Sequence, residues 1–350
     1  MRIPIVRGGV AAFLALGMAG ASPSTARAQS ADPPPVLLDD AVAAVAELPR
    51  LRSFLVSRRS ALIVERYYNG ARAGRPANIK SASKSLISAL VGIAIDRGLI
   101  ADVTEPISSF FPDLLKGERE APKRQITIED LLTMRSGLES TSNRNYGAWV
   151  LSRNWVGHAL SRPLVAEPGT RMEYSTGNTH LLSAILTKVA GTSTWQFAQR
   201  ALAEPLGFSL AQWPRDPQGV YFGGNDMLLT PRQMVAFGEL YLNRGRVNGL
   251  QVVPAPWVER SFVPRARSRF SEQLYGYGWW IRELAGHRVY YAWGYGGQYV
   301  FVVPDLDLVM VTTSSTAVGD ERRGHRQTVF DLIEHFVIPA IEGRSLKPEA

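Results

Sequence analysis

The chain has 350 residues, 45% of them hydrophobic, which is enough to build a large core and argues against a disordered protein. Its formal net charge is +8, but the 39 Lys and Arg residues are scattered along the chain. A nucleic-acid-binding role would favour a basic cluster, so no nucleic-acid partner is expected. The absence of cysteine excludes disulfides and thiolate nucleophiles, so any side-chain nucleophile must be a hydroxyl.

The first residues have the features of a secretory signal. Arg2 and Arg7 form a positive start, residues 10–21 an apolar stretch, and Ala26-Arg27-Ala28 a small-x-small cleavage site. The apolar stretch is shorter than the roughly 20 residues that span a bilayer, so stable membrane insertion is not expected. We therefore predict a signal peptide over residues 1–28, followed by one domain over 29–350 in the periplasm or outside the cell.

The elements in chain order predict an α+β fold. The hydrophobic spacing predicts helices and strands near both ends, and mostly helical patterns between them. The capping-box-like Thr127-Ile128-Glu129-Asp130 marks one of the central helices. We expect an antiparallel sheet with flanking helices, built from about 36–80 and 275–342, around a large helical insert of about 81–274. The predicted elements at the two ends are a helix at 36–48, strands at 51–57, 61–68, 288–293, 299–303 and 308–313, and a helix at 327–338.

The first chemical motif is Ser81-Ala82-Ser83-Lys84 at the start of a strongly apolar helical stretch that Gly98 ends. A spacing of three places the Ser81 hydroxyl and the Lys84 amine on one helix face. Burial favours the uncharged amine, which a weakly nucleophilic serine needs as a base. The alternative is an N-cap serine beside a snorkelling lysine. Ser83 and Ser85 are the rival hydroxyls, but neither has a lysine three residues later.

The second motif is a turn, Pro168-Gly169-Thr170, followed by Tyr174 at a helix start. A tyrosine there can direct its phenol into a cleft. With Lys84 nearby, the positive charge is expected to lower the phenol pKa and make Tyr174 a proton shuttle. The alternative is a packed aromatic residue whose hydroxyl is simply hydrogen-bonded.

The third motif is the run from Trp293 to Tyr299, at the edge of a predicted strand. Its glycines allow close approach of a substrate backbone, and an unpaired edge amide can stabilise an oxyanion. The alternative is an ordinary glycine-rich hairpin turn.

These three motifs occur in the order and rough spacing of the serine β-lactamase, penicillin-binding-protein and related esterase superfamily. The chain resembles that superfamily over nearly its whole mature length. Further similar segments are Ile128 to Leu138, with its Ser-Gly-Leu ending, and Gly223 to Gly238. The resemblance implies the β-lactamase/transpeptidase-like form of the α+β fold.

The resemblance also implies a mechanism. Ser81 attacks a carbonyl, Lys84 and Tyr174 move the proton, and water releases the acyl group. The backbone amides of Ser81 and Gln298 form the oxyanion hole, and no metal or cofactor is implied. The residues expected to bind substrate are Asn178, Tyr295, Gly296, Gly297, Tyr146 and Trp149, with Trp155 as a further pocket aromatic.

Two departures from the superfamily pattern bear on the substrate. Thr176 stands where the tyrosine motif often has an asparagine, and Asn178 follows two residues later. Tyr295-Gly296-Gly297 aligns with the third-motif Lys-Thr-Gly or His-x-Gly, so the cation that faces a substrate carboxylate is missing. The pattern is closest to the branch of carboxylesterases and 6-aminohexanoate-dimer hydrolases. The expected partner is therefore a small ester or linear amide, with slow or no β-lactam turnover.

Other readings of the sequence are a β-lactamase or D-Ala-D-Ala peptidase, and a non-catalytic envelope-binding protein. A Ser-His-Asp hydrolase would show Gly-x-Ser-x-Gly, and a zinc hydrolase His-Glu-x-x-His; neither string occurs. Ser152-Arg153-Asn154 mimics a Ser-x-Asn element, but the Pro-Gly-Thr turn favours Tyr174. The sequence leaves the oligomeric state open.

Overall fold

The computed structural model describes residues 35–319 and 324–344, so the predicted signal peptide lies outside the described residues. The α-helices are α1 (Pro35–Ala46), α2 (Ser83–Asp96), α3 (Ile128–Leu132), α4 (Tyr146–Val150), α5 (Trp155–Ser161), α6 (Thr176–Ala190), α7 (Thr194–Ala198), α8 (Pro231–Leu242), α9 (Ala255–Ser261), α10 (His325–Leu332) and α11 (Ile338–Ile341). The strands are β1 (Leu51–Arg58), β2 (Ala61–Tyr67), β3 (Ala77–Asn78), β4 (Leu228–Leu229), β5 (Arg246–Val247), β6 (Leu250–Gln251), β7 (Ala266–Arg267), β8 (Leu274–Tyr275), β9 (Trp280–Leu284), β10 (His287–Gly294), β11 (Gln298–Val303) and β12 (Leu308–Ser314).

The main sheet has eight antiparallel strands in the order β2-β1-β12-β11-β10-β9-β8-β7. The hairpin of β1 and β2 comes from one end of the chain, and β12 pairs with β1 along its whole length, from Leu51 with Ser314 to Arg58 with Leu308. The α+β fold predicted from the sequence, with a sheet made from both chain ends, is therefore confirmed. Between β2 and β7 the chain is mostly helical, apart from the short pairs β3–β4 and β5–β6.

Both faces of the sheet are covered. Along β11 the side chains alternate between two hydrophobic cores: Val300 and Val302 lie in the core with α2, α6 and α8, and Tyr299 and Phe301 in the core with α1 and α10. Because every residue of β11 is buried, its sequence is continuously apolar rather than alternating after Gln298. The sheet is thus the middle layer of the fold.

Helix α2 is the central helix of the larger core. Twelve of its 14 residues, Ser83 to Ala94, are buried, and it packs against α6, α9 and the sheet. Gly92 is where Trp257 of α9 rests on α2, because a Cβ there would lie 2.3 Å from the Trp257 ring. The second half of α2 is therefore packed closely against α9.

The capping box predicted at Thr127 is present in the structure. The Thr127 hydroxyl accepts the Asp130 amide at 3.1 Å, and the Asp130 carboxylate accepts the Thr127 amide at 2.9 Å, which completes the capping box of α3. Among the helices in 35–319 and 324–344, none combines the length and the apolar character needed to cross a bilayer.

Candidate active site

Ser81 lies in a tight 3-10 turn, Lys80–Ala82, directly before α2. Lys80 has φ 52°, a left-handed conformation that is unfavourable for a non-glycine residue and that recurs at functional sites. A backbone hydrogen bond anchors the residue before this turn: the Ile79 amide donates to the Met227 carbonyl at 3.0 Å. Ser81 itself is only partly buried, so its hydroxyl stands at the edge of the core.

Lys84 lies one turn into the core and is 1% exposed. Its Nζ donates to the Ser81 hydroxyl at 3.1 Å, to the Gly224 carbonyl at 2.6 Å and to the Thr176 hydroxyl at 3.4 Å. Burial lowers the pKa of Lys84 to about 7, although the negative charge of Asp226 acts in the opposite direction. A lysine with that pKa is partly uncharged at neutral pH and able to accept a proton.

Tyr174 precedes α6 and brings its ring within 5.0 Å of Lys84 Nζ. Burial raises the pKa of Tyr174 to about 12, and a hydrogen bond with the Ser81 side chain lowers it only in part. The expectation that this pKa would be lowered was wrong, because burial of the phenol disfavours its charged form. The phenol therefore keeps its proton at neutral pH.

Thr176, at the place where an asparagine was expected, joins the same network. Its hydroxyl lies 2.9 Å from that of Ser142 and accepts from Lys84, and its amide donates to Ser142 at 2.9 Å. Nothing in the sequence indicated the contact between Thr176 and Lys84, or the part played by Ser142, which lies in a loop 34 residues earlier.

The segment 223–226 is the contribution that the motif analysis missed. Beyond the Gly224 carbonyl on Lys84, Asp226 forms an ion pair with Lys80 at 2.8 Å and accepts from Asn78 at 2.8 Å. In the sequence, this segment shows only a resemblance to the part of the superfamily that leads into a later helix. A carbonyl ligand leaves no side-chain signal, so only the glycine pair hinted at a close backbone approach.

A cavity of about 630 Å³ opens beside Tyr174. Trp280 stacks on Tyr174 with ring centroids 5.8 Å apart, and Trp293 meets Trp280 edge-on at 6.1 Å. Arg326 of α10 lies over the Trp293 ring at 4.9 Å, and its guanidinium donates to Gln273 at 3.1 Å. The cavity thus has aromatic walls and a lining with charges of both signs, to which Arg144, Arg269, Arg326, Glu139 and Glu173 contribute.

A family model described as beta-lactamase matches residues 44–333, which is most of the chain. The chain belongs to the β-lactamase family. It is therefore a serine hydrolase, as the sequence motifs indicated.

Individual relatives agree with this assignment. The 6-aminohexanoate-dimer hydrolase of Paenarthrobacter ureafaciens is 28% identical over 301 residues, which are 78% of this chain and 74% of that protein. The structure described as a putative 6-aminohexanoate-dimer hydrolase from Bacillus anthracis has a TM-score of 0.69 at 22% identity, covering 89% of this chain and 84% of that one. EstCE1, described as a hydrolase with promiscuous acyltransferase activity, has a TM-score of 0.68 at 18% identity, covering 85% and 99%. The two structural likenesses show the shared fold.

The alignment of Tyr295-Gly296-Gly297 with the third β-lactamase-family motif stays a prediction. Tyr295, Gly296 and Gly297 form the turn between β10 and β11, and Tyr295 is 38% exposed. The lining of the cavity beside Tyr174 includes Trp293 rather than these three residues. The turn instead faces β12 and α10, since a Cβ on Gly297 would lie 2.8 Å from both Ser314 and His325.

Gln298 begins β11 and is 1% exposed. Its side chain is occupied by β12, donating to the Ser314 carbonyl at 2.8 Å and accepting the Ser314 amide at 3.2 Å. It pairs with Gly294, where a Cβ would lie 2.0 Å from the Ile79 carbonyl. The hairpin therefore touches the segment that leads into Ser81, with the Gln298 side chain directed elsewhere.

Three of the predicted substrate contacts lie in the core. Asn178 is 1% exposed and accepts from Ser136 at 3.1 Å, because α6 turns that face toward the interior. Trp149 is fully buried, and Trp155 is 7% exposed; their indoles donate to backbone carbonyls. Tyr146 is half-buried and accepts from Asn225 at 3.0 Å, next to the Gly224 carbonyl. The structure thus places Asn178, Trp149 and Trp155 in the core, and their substrate contacts stay predictions.

Within the ranges that the structure describes, no three His, Asp or Glu side chains come together as a metal site would require. The groups around Ser81 are an amine, a phenol, hydroxyls and backbone atoms. They supply a hydroxyl nucleophile and groups that can accept and donate its proton.

Proposed function

We propose that this protein is an exported hydrolase that forms an acyl-enzyme on Ser81 and acts on esters or short linear amides. The observation that carries the proposal is the contact of Ser81 with a fully buried Lys84 at 3.1 Å, beside Tyr174. An adjacent uncharged base is what a serine needs to become a nucleophile.

The proton path follows from the two pKa values. Above about pH 7 the Lys84 amine is largely neutral and accepts the Ser81 proton as the hydroxyl attacks the carbonyl. The Tyr174 phenol, with a pKa of about 12, passes its proton to the leaving oxygen or nitrogen and takes the proton held by the Lys84 ammonium in its place, so that the phenol and the neutral amine are both restored. Water then attacks the acyl-enzyme by the reverse path and regenerates Ser81.

The oxyanion hole is proposed to use the backbone amides of Ser81 and Gln298. The support for this is the contact of the β10–β11 hairpin with the Ile79 carbonyl, two residues before Ser81. Fixed amides at such a site stabilise the charge that develops on the carbonyl oxygen in the transition state.

The substrate class rests on the cavity and on the relative. Aromatic walls from Tyr174, Trp280 and Trp293 suit an apolar acyl or leaving group. The 6-aminohexanoate-dimer hydrolase relative supports a linear amide as one substrate class. Arg326 brings a cation to the cavity from α10, so a substrate with a carboxylate is also compatible with this site although the third-motif lysine is missing.

The test is covalent labelling of the purified protein with a fluorophosphonate, read by intact mass and peptide mapping. We expect one adduct, on Ser81, and hydrolysis of short-chain nitrophenyl esters that Ser81→Ala abolishes. Ser88→Ala is the matched control, because Ser88 is a buried serine of the same helix, interacts with Tyr241 and is not among the groups that accept a hydrogen bond from the Lys84 amine. Full activity in Ser81→Ala would overturn the proposal.

A substrate panel then separates the classes within the family. Nitrophenyl esters, 6-aminohexanoate oligomers, D-amino-acid peptides and a chromogenic cephalosporin are compared at equal enzyme concentration. We expect esters or linear amides to be turned over fastest. Cephalosporin turnover near the median enzyme rate of about 10 per second would instead identify a β-lactamase.

Export is proposed from the predicted signal alone. Expression of the full chain in a Gram-negative host should yield periplasmic protein whose N-terminus is Gln29. Replacement of Arg2 and Arg7 by Glu is expected to leave uncleaved protein in the cytoplasm. Cytoplasmic accumulation of the unaltered chain with Met1 intact would contradict export.

A further inference from the structure

A buried acid–imidazole pair lies behind the lysine and takes no part in the mechanism above. The side chains of His180 and Asp216 are both 0% exposed, and His180 Nε2 lies 3.0 Å from Asp216 Oδ2. Asp216 Oδ1 accepts the amides of Gln218 at 2.9 Å and Val220 at 2.8 Å. A buried carboxylate is costly unless it is paired in this way, so the pair needs a reason to exist in the core.

The backbone amide of Gly223 sets the tautomer of the imidazole. It donates to His180 Nδ1 at 3.4 Å, so Nδ1 carries no proton and Nε2 donates to Asp216. The rings of Trp149, Trp155 and Phe222 surround His180 with centroids 5.7, 5.3 and 6.0 Å away. Because these rings enclose the imidazole, the Gly223 amide is the donor that reaches Nδ1.

The next residue along the chain binds the lysine. The Gly224 carbonyl accepts from Lys84 Nζ at 2.6 Å, the shortest contact of that amine. The two glycines lie directly on α6: a Cβ on Gly223 would be 2.1 Å from the Thr179 carbonyl, and one on Gly224 would be 2.1 Å from the Thr179 hydroxyl. His180 on α6 therefore holds the backbone whose carbonyl faces Lys84.

We propose that His180 and Asp216 are positioning residues for Lys84, which together hold the Gly223–Gly224 backbone so that the Gly224 carbonyl fixes the amine opposite Ser81. Asp216 orients the imidazole, the imidazole holds the Gly223 amide, and the Gly224 carbonyl takes one N–H of the ammonium. The amine is then directed at the Ser81 hydroxyl rather than free to rotate. This inference rests on the proposed function, because it treats Lys84 as the base of Ser81.

Two variants change different hydrogen bonds of His180, the one with Asp216 and the one with the Gly223 amide. Asp216→Asn weakens the orientation of the imidazole, and His180→Gln keeps a nitrogen donor for Asp216 but removes the ring acceptor of Gly223. The measurement is the rate constant of Ser81 acylation by a nitrophenyl ester, from pH 5 to 10. We expect the plateau rate to fall about tenfold or more, because a displaced base is poorly aligned.

The pH profile distinguishes positioning from general stabilisation. The Gly224 carbonyl accepts a hydrogen bond from Lys84 and so favours its ammonium form. If the variants displace this carbonyl, the pKa of Lys84 should fall, and the acid limb of the rate profile should move to lower pH by about one unit. Thr313→Val is the matched control, since it removes a buried hydrogen bond, 2.6 Å to Ser53, from the sheet. It should lower the unfolding temperature and leave the acid limb in place.

The outcomes separate this inference from the proposed function. If Ser81→Ala retains activity, the proposed function falls. If Ser81→Ala is inactive while a folded Asp216→Asn or His180→Gln variant has the wild-type rate and pH profile, only the positioning role is overturned. Failure of both variants to fold would mean that the pair serves the fold, and that result also overturns the inference.

Discussion

Lys84 combines two properties that are normally opposed: it is fully buried, and it must carry a proton during turnover. Burial lowers its pKa to about 7, and the Gly224 carbonyl and the Ser81 hydroxyl provide acceptors for the ammonium form. Tyr174 has the complementary property, since burial raises its pKa to about 12. The two neighbours therefore remain, respectively, an acceptor and a donor of protons near neutral pH.

The pH dependence of acylation follows from the Lys84 pKa. The neutral amine increases about tenfold per pH unit below its pKa and saturates above it, so the acylation rate should rise through pH 7 and then level off. Stopped-flow acylation by a nitrophenyl ester measures this limb, with Ser81→Ala as the blank. If the acylation rate instead rose near pH 10, Lys84 would have its ordinary pKa and the prediction would be wrong.

Lys84→Met should stabilise the protein most at low pH. Below pH 7 the folded state buries a charged amine, and Met removes that cost. Between pH 7 and 10.5 the folded wild type loses the proton while the unfolded chain keeps it, so wild-type stability rises with pH. The advantage of Lys84→Met in the free energy of unfolding should shrink by about 2 kcal/mol from pH 7 to pH 9. Urea unfolding at both pH values measures the gap, and a gap independent of pH would contradict the prediction.

At the scale of elements, the site depends on where α2 begins and what it packs against. The 3-10 turn that carries Ser81 and the first turn of α2 that carries Lys84 are one continuous unit. Helix α6 contributes Thr176 and His180 from one face, and α9 supports α2 from another. A shift of α2 would therefore move the nucleophile and its base together relative to Tyr174.

Gly92→Ala tests the contact of α2 with α9. The new Cβ would lie 2.3 Å from the Trp257 ring, and that overlap should outweigh the better helix propensity of alanine. We expect the free energy of unfolding to fall by about 1–3 kcal/mol. Gly117→Ala is the control, because Gly117 has φ −73° and nothing within 4 Å of the new Cβ. If the two variants had the same free energy of unfolding, α9 would move to accommodate the new Cβ without cost, and the prediction would be wrong.

At the scale of the whole molecule, the sheet ties the two ends of the chain together. Strand β1 lies between β2 and β12, and 249 residues separate the end of β1 at Arg58 from the start of β12 at Leu308. The outer face of the sheet is then covered by α1 and α10, again one from each end. The helical part is closed into the fold by this sheet, and we expect both to unfold in one transition.

Phe330→Ala tests that closure. Phe330 of α10 is fully buried against Tyr291, Tyr299 and Phe301, with ring centroids 5.4, 5.6 and 5.8 Å away. Its removal should cost about 3–5 kcal/mol and lower the calorimetric midpoint without splitting the transition. Gln327→Ala, on the exposed face of the same helix, should change stability by less than about 0.5 kcal/mol. Two separate transitions in Phe330→Ala would contradict a single cooperative unit.

The sequence by itself determined the features that depend on short spacing. Hydrophobic periodicity located the strands at both chain ends, and a spacing of three brought Ser81 and Lys84 onto one helix face. The capping box at Thr127 was equally local. Each of these rests on the geometry of a single element, which neighbouring residues specify.

Only the tertiary structure decided which groups from distant segments meet at Ser81. It turned Asn178 and Trp149 into the core, brought Arg326 to the cavity, and placed the Gly224 carbonyl on Lys84. It also raised the pKa of Tyr174, where the motif alone suggested the reverse. The physical reason is that burial and the facing of side chains are set by packing between segments far apart in the chain, and a backbone carbonyl carries no residue-type signal at all.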